Sequence, residues 1–338
     1  MKRFTVILYS ILLLLLTACS GIKSKNDVKI GFLIHATTSS RWQMDIAYVK
    51  ERAAQIGATI ILKDAGGDEN LQLKQASELI KEGVDAIIVV AANQNTAAGI
   101  VREAHKSNVP VIGYDRLIKN SDLDYLVSFE YEKVGILMID YVFDHLDGGN
   151  YVMLWGDASD ANAIMIKNGI EKAIDKHPKS SRFNIVYKAY VPDWTYKNAY
   201  FLMNSVLDFS PEKIDAVIAC NDPLGIGAFS ALSEHNYKPD EVIVTGQDAT
   251  LDFVHSLLSG GMTMSVYKPI KELAYGAVDL VVALLKTGKA EGFDKTVNNG
   301  RKNVPAKLFS PSVVDKTNFE KVLIEGGVFT TEQVYGKK

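Results

Sequence analysis

An internal echo constrains this chain more than any other feature. Gly83-Val-Asp-Ala-Ile-Ile-Val-Val90 is matched later by Lys213-Ile-Asp-Ala-Val-Ile-Ala-Cys220. Each ends in a short unbroken apolar run, the pattern of a strand in a parallel sheet covered on both faces. Each is followed by a helix-length segment and another apolar strand that ends in aspartate. The first of these strands ends at Asp115, in Pro110-Val-Ile-Gly-Tyr-Asp115, and the second at Asp248, in Val242-Ile-Val-Thr-Gly-Gln-Asp248. Two copies of one supersecondary pattern argue for two similar α/β lobes.

The flanking segments fit that plan. Val28 to Ile34 reads as a strand, Trp42 to Ile56 as a helix stopped by Gly57, and Thr59 to Leu62 as a strand. Asn70 to Glu82 and Ala97 to Ser107 are expected helices around the strand Val84 to Val90, and Val109 to Gly113 is the next strand. The second copy runs through strands at Asn150 to Leu154, Phe183 to Val186, Ile214 to Cys220 and Val242 to Thr245. Its helices are Asn162 to His177, Tyr196 to Phe209 and Gly225 to His235. Met262 to Val266 is expected to return to the first lobe, with a helix over Ile270 to Leu285, and Asn298 to Val304 and the tail to return to the second. The fold class is therefore α/β, two doubly wound parallel-sheet lobes joined by a multi-strand hinge. The expected division is 28–128 plus 265–293 for the N-terminal lobe and 129–264 plus 294–338 for the C-terminal lobe.

The start of the chain is set apart. Lys2 and Arg3 precede an apolar run from Phe4 to Leu16, and Leu16-Thr17-Ala18-Cys19 is similar to a bacterial lipobox. That reading makes 1–18 a lipoprotein signal peptide, Cys19 the lipidated residue and 19–27 a polar tether to the membrane. A plain secretory signal and a transmembrane anchor are the alternatives. The net charge of −3 gives no electrostatic reason to expect nucleic acid. Two cysteines are too few for a disulfide framework.

In open α/β sheets, ligands sit outside the carboxyl ends of the strands. Those ends carry Arg41, Trp42, Asp115 and Arg116 in the first lobe and Asp160, Asn162, Trp194, Asn221 and Asp248 in the second, with Lys268 just past the returning strand. Carboxylates, guanidinium groups and side-chain amides suit hydroxyls, which both donate and accept. Indole rings suit C–H faces. The set points to a small polyhydroxylated molecule held between the lobes. Asp222, before Pro223, is read as a helix cap that leaves Asn221 to reach the ligand. Gln247 either touches the ligand or orients its neighbours. Trp155 is read as packing, and Cys220 as an inert buried thiol.

The blocks Ser40-Arg-Trp-Gln43, Tyr114-Asp-Arg116, Val127-Ser-Phe-Glu130 with Lys133-Val-Gly135, Asp160-Ala-Asn-Ala163, Cys220-Asn-Asp222, Gly246-Gln-Asp248 and Val266-Tyr-Lys-Pro269 resemble the periplasmic D-xylose-binding proteins, within the type I periplasmic binding protein superfamily. The match runs from about Val28 to Lys286. It implies that Arg41, Trp42, Asp115, Arg116, Asp160, Asn162, Trp194, Asn221, Asp248 and Lys268 line a pentose site. It implies D-xylose or a related pentose as ligand and an ABC transporter permease as partner. The alternative partner is the sensor domain of a membrane histidine kinase. The chain departs from the family pattern at His35 to Ser39, at Pro223-Leu224 and at Trp155.

Catalytic readings find no machinery. Six histidines are scattered without a metal-type pair. Asp157 to Asn162 imitates the start of a calcium loop but lacks its glycine and its closing glutamate. No P-loop or nucleophile elbow is present. Paired cleft carboxylates could suggest a glycosidase, yet Arg116 and Lys268 would hold them ionised, which favours accepting hydrogen bonds over acid catalysis. No enzyme activity, cofactor or metal is expected.

Overall fold

A computed structural model describes residues 28–293 and 295–336. The signal peptide, Cys19 and the tether lie outside the described residues. The first lobe opens with β1 (Val28–Ile34), α1 (Ser40–Ile56), β2 (Ala58–Asp64), α2 (Glu69–Lys81), β3 (Ala86–Val89), α3 (Ala98–His105), β4 (Val111–Tyr114) and β5 (Tyr125–Phe129). Ser39 starts α1 by accepting the Trp42 N–H, and Gly57 stops it at a φ of 72°. β3 and β4 are buried at every position, the reason they read as unbroken apolar runs.

The chain then enters the second lobe through α4 (Tyr131–His145), β6 (Gly149–Trp155), α5 (Ala161–Lys176), β7 (Phe183–Tyr190), α6 (Tyr196–Phe209), β8 (Ala216–Ala219), α7 (Asp222–Glu234), β9 (Ile243–Val244), α8 (Leu251–Leu258) and β10 (Met264–Tyr267). Next, α9 (Ile270–Thr287) packs back on α1 in the first lobe. It is followed by β11 (Lys295–Asn298), β12 (Asn303–Phe309) and β13 (Ser312–Asp315).

The first sheet has the order β2-β1-β3-β4-β5-β12-β11, parallel except for β11. The second has the parallel order β7-β6-β8-β9. β10 continues it, because Thr263 N–H donates to Val244 O and Val266 N–H to Gly246 O, both at 2.9 Å. β13 pairs antiparallel with β10. One apolar cluster runs from Phe32 and Tyr114 in the first lobe to Tyr151 and Ile218 in the second. Separate clusters cover the outer face of each sheet. Among the described residues no helix is long and apolar enough to cross a membrane.

Two expectations about the C-terminal third are corrected. Met262 to Val266 does not return to the first lobe, since β10 bonds beside β9. Asn298 to Val304 does not return to the second, since β11 and β12 extend the first sheet and β12 pairs with β5 from Ala306 to Phe309. The chain changes lobes near Phe129, Tyr267 and Phe309, in place of the expected changes at 264/265 and 293/294. Met262 to Val266 is short and about half apolar, so either sheet edge accepts it locally, while Asn298 to Val304 spans the turn between β11 and β12 and has little apolar pattern of its own. Pairing at long range decides between the two edges.

Candidate ligand-binding site

The carboxyl ends of both sheets face one cavity of ≈ 110 Å³. From the first lobe, the turn of α1 after β1 supplies Arg41 and Trp42, and the end of β4 supplies Asp115 and Arg116. From the second, the start of α5 supplies Asp160 and Asn162, the loop after β7 supplies Trp194, the start of α7 supplies Asn221, and the loop after β9 supplies Asp248. Lys268 joins β10 to α9. All of these sequence-derived candidates line the cavity. His35, Tyr131, Gln247 and Thr250 line it too.

Backbone strain helps to aim them. Asp115 has a φ of 65°, Trp194 of 57° and Asp248 of 97°. Non-glycine residues at positive φ persist where surrounding structure over-determines them, commonly at ligand sites. Asp115 is held by its own N–H to Val127 O at 2.8 Å and by Ser128 Oγ donating to its carbonyl at 2.5 Å. The Trp194 ring lies against Gly156, where a Cβ would come within 2.0 Å of a ring atom.

The cavity's charges are closed within the protein. Arg41 donates to Asp45 at 2.7 Å, to Asp115 at 2.6 Å and to Asp248 at 3.2 Å. Lys268 Nζ pairs with Asp248 at 2.9 Å and donates to the Tyr131 hydroxyl at 3.2 Å. Asp115 also accepts from Tyr131 Oη and Asn162 Nδ2, both at 2.8 Å. Burial by itself would raise the Asp115 pKa, but Arg41 and Lys268 outweigh it and bring it down to about 2. Asp45, behind Arg41, goes the other way: burial pushes it up to about 6. Burial likewise raises Asp160. His35 is lowered by burial and then by Arg116, which keeps its imidazole neutral. With Arg41, Arg116, Lys268, Asp115, Asp160 and Asp248 already paired with one another, the site favours an uncharged ligand, because an ionic one would need a free countercharge.

Some polar atoms around the cavity have no hydrogen-bond partner among the described residues: His35 Nδ1, Asn162 Oδ1, Trp194 Nε1 and Gln247 Oε1. Arg116 Nε sits 2.9 Å from Asp160 Oδ2 with its N–H out of line with that oxygen. Buried polar groups cost free energy unless hydrogen-bonded, and this set mixes donors with acceptors. Trp42 adds an aromatic face, with the His35 ring edge-on at 4.9 Å and the Arg41 guanidinium 4.5 Å from its centroid.

Asn221 lines the cavity as expected, but it and not Asp222 supplies the helix cap. Asn221 Oδ1 caps α7 by accepting Leu224 N–H at 2.9 Å, and its Nδ2 donates to Trp194 O at 3.4 Å. Asp222 is fully buried behind the cavity. Asp45 and Tyr131 escape the sequence reading. Asp45 had a signal, since it lies four residues after Arg41 on one helix face. Trp155 packs on Tyr190 at 5.2 Å, away from the cavity. Cys220 is a buried thiol that burial pushes up to about 12.

Residues 30–290 match the model of the periplasmic binding protein domain. The chain belongs to this family. Among its relatives, the D-xylose-binding periplasmic protein of Haemophilus influenzae is 35% identical over 95% of this chain and 96% of its own length. That of Escherichia coli is 34% identical, covering 93% of this chain and 96% of the relative. A solved ABC transporter solute binding protein from Clostridium phytofermentans, with bound β-D-glucose, is 28% identical. It superimposes with a TM-score of 0.85 over 90% of this chain and 99% of its own. As a periplasmic binding protein, the chain binds a solute and is not an enzyme. Its lobes are latched by side chains that span the cleft: Arg41 to Asp248, Arg116 to Asp160, and Asn162 to Asp115. Gln94 N–H adds a contact to Ser159 O at 3.4 Å.

Proposed function

We propose that this chain is an extracytoplasmic receptor that binds D-xylose, or a close pentose, between its lobes and presents it to an ABC importer. The observation that carries the reading is the cavity itself. It is internally neutralised, flanked by Trp42 and Trp194, and edged by unpartnered donors and acceptors. A neutral sugar offers hydroxyls for those atoms and C–H faces for the indoles. The names of the two D-xylose-binding relatives support the pentose, and the solved ABC transporter solute binding protein supports the partner. Closure on the sugar would fix the latches between the lobes, and a closed form is what a membrane partner can read. The lipobox-like Leu16-Thr17-Ala18-Cys19 supports a lipid anchor. A Cys19→Ser variant is expected to leave the membrane fraction, and a variant that stays there would remove the anchor from the proposal.

A ligand that binds only the folded state stabilises it by about 2.7 kcal/mol at a concentration of 100 Kd. Xylose at millimolar concentration is therefore expected to raise the melting temperature by several degrees. Glucose, which carries an extra hydroxymethyl group, is expected to do so less. No shift with xylose would reject the pentose, and equal affinities in a calorimetric panel would reject the discrimination.

A further inference from the structure

The loop between β9 and α8 is a strained part of the cavity wall. Asp248 and Ala249 are consecutive non-glycine residues at φ values of 97° and 50°. Gln247, Asp248 and Thr250 all line the cavity, and Asp248 reaches across to Arg41. Something must hold this conformation, and the hydrogen bonds lead to one buried group.

Asp222 is fully buried and does not line the cavity. Its Oδ2 accepts Thr250 N–H at 2.7 Å, and its Oδ1 accepts the Ser265 hydroxyl at 2.6 Å. Ser265 Oγ in turn accepts Ala249 N–H at 3.0 Å. Asp222 N–H donates to Gln247 O at 3.1 Å. The carboxylate is packed so closely under the loop that a Cβ on Gly246 would lie 2.4 Å from its Oδ1. We propose that Asp222 is a positioning residue for ligand binding: with Ser265 it clamps Gln247 to Thr250, so that Asp248 meets Arg41 and Lys268 at the closed cleft. This rests on the sugar-binding reading above and adds a residue that acts through others.

The clamp is sensitive to pH. Burial, and then the nearby Asp248, push Asp222 up to about 8. Ser265 on β10 faces it as a hydroxyl. Lys268 and Arg41 lie beyond Asp248 and are paired to that carboxylate. Because the folded-state pKa is raised, the protonated form holds below pH 8 and is lost as pH rises through it. Ionisation then places a second negative charge under Asp248.

The test compares the wild type with Asp222→Asn, Asp222→Ala and Ser265→Ala. Asparagine keeps an acceptor for Thr250 N–H and reverses the Ser265 contact, its amide donating to Ser265 Oγ as the protonated acid would, while Ser265 Oγ can still accept Ala249 N–H. Xylose affinity of the wild type is expected to fall between pH 7 and 9, and that of Asp222→Asn to stay level. Asp222→Ala and Ser265→Ala are expected to weaken binding by roughly tenfold or more, the scale of one buried hydrogen-bond network. Ser265→Ala also serves if Asp222→Ala fails to fold. In the unliganded protein, hydrogen exchange of peptides covering residues 246–250 should speed up in both alanine variants. Wild-type pH dependence in Asp222→Asn, or unchanged loop exchange in Ser265→Ala, overturns the clamp. A wild type that binds no pentose overturns the sugar reading by itself, and the loop exchange still decides the role of Asp222.

Discussion

An Asp115→Ala variant is expected to bind xylose at least roughly 100-fold more weakly than the wild type. The magnitude follows from breaking a buried ion pair by removing one partner, which costs about 3–5 kcal/mol. Asp115 accepts from Arg41 at 2.6 Å and from Tyr131 and Asn162 at 2.8 Å. Its removal takes from Arg41 the shortest of its three carboxylate contacts and cuts a link between the lobes. Asp115→Asn keeps the shape without the charge and is expected to fall between the two. The pH dependence has a definite sign. The Asp115 pKa is lowered from 3.8 to about 2, so its ionic contribution is complete above pH 4 and is lost as pH falls towards 2. Isothermal calorimetry on the three proteins checks this, and an unchanged affinity in the alanine variant would remove Asp115 from the site.

The second large effect concerns stability. A Gly135→Val variant is expected to lose about 3 kcal/mol or more of folding free energy, the upper range for overpacking a core. Gly135 on α4 meets α5 so closely that a Cβ would lie 2.2 Å from Ile166 O and 2.8 Å from Ile170 N. Gly169 on α5 answers it, with a Cβ position 2.0 Å from Glu132 O. Both obstacles are helix backbone, which cannot swing aside as a side chain can. Relief requires the helices to separate and expose packing around Val134, Met138, Ile166 and Ile170, all buried. The start of α5 carries Asp160 and Asn162, so weaker sugar binding should accompany the loss. Thermal denaturation followed by circular dichroism reads the first effect, and a wild-type melting temperature would show that the crossing tolerates separation.

The elements legible in the sequence are those with a local cause. The helix Tyr196–Phe209 matches its expected span because Thr195 caps it and its apolar spacing is regular. β3, β4 and β8 announce themselves as apolar runs because helices cover both sides of their sheets. Asp115 and Asp248 could be placed at strand ends by counting along those runs. Tyr131, by contrast, lies in a stretch to which the sequence reading assigns no element, and its hydroxyl becomes a cavity donor only when α4 starts beside Asp115.

The rest was settled at long range. Lys268 meets a carboxylate from the loop after β9, and Arg41 meets acids at positions 45, 115 and 248, partners that residue order does not rank. Whether Asn221 or Asp222 caps α7 depended on backbone angles imposed by the neighbouring loop. β10 and β12 exchanged the lobes expected of them because their apolar pattern suits either sheet edge. Strand propensity and the position of a charge at a strand's end are properties of neighbouring residues, so the chain by itself determined two α/β lobes with a polar rim. Which strand pairs with which edge, and which acid neutralises which base, are choices among distant segments with similar local energies. Long-range strand pairing within each sheet and the meeting of the two lobes make those choices, and in this arrangement the cleft charges are buried with partners.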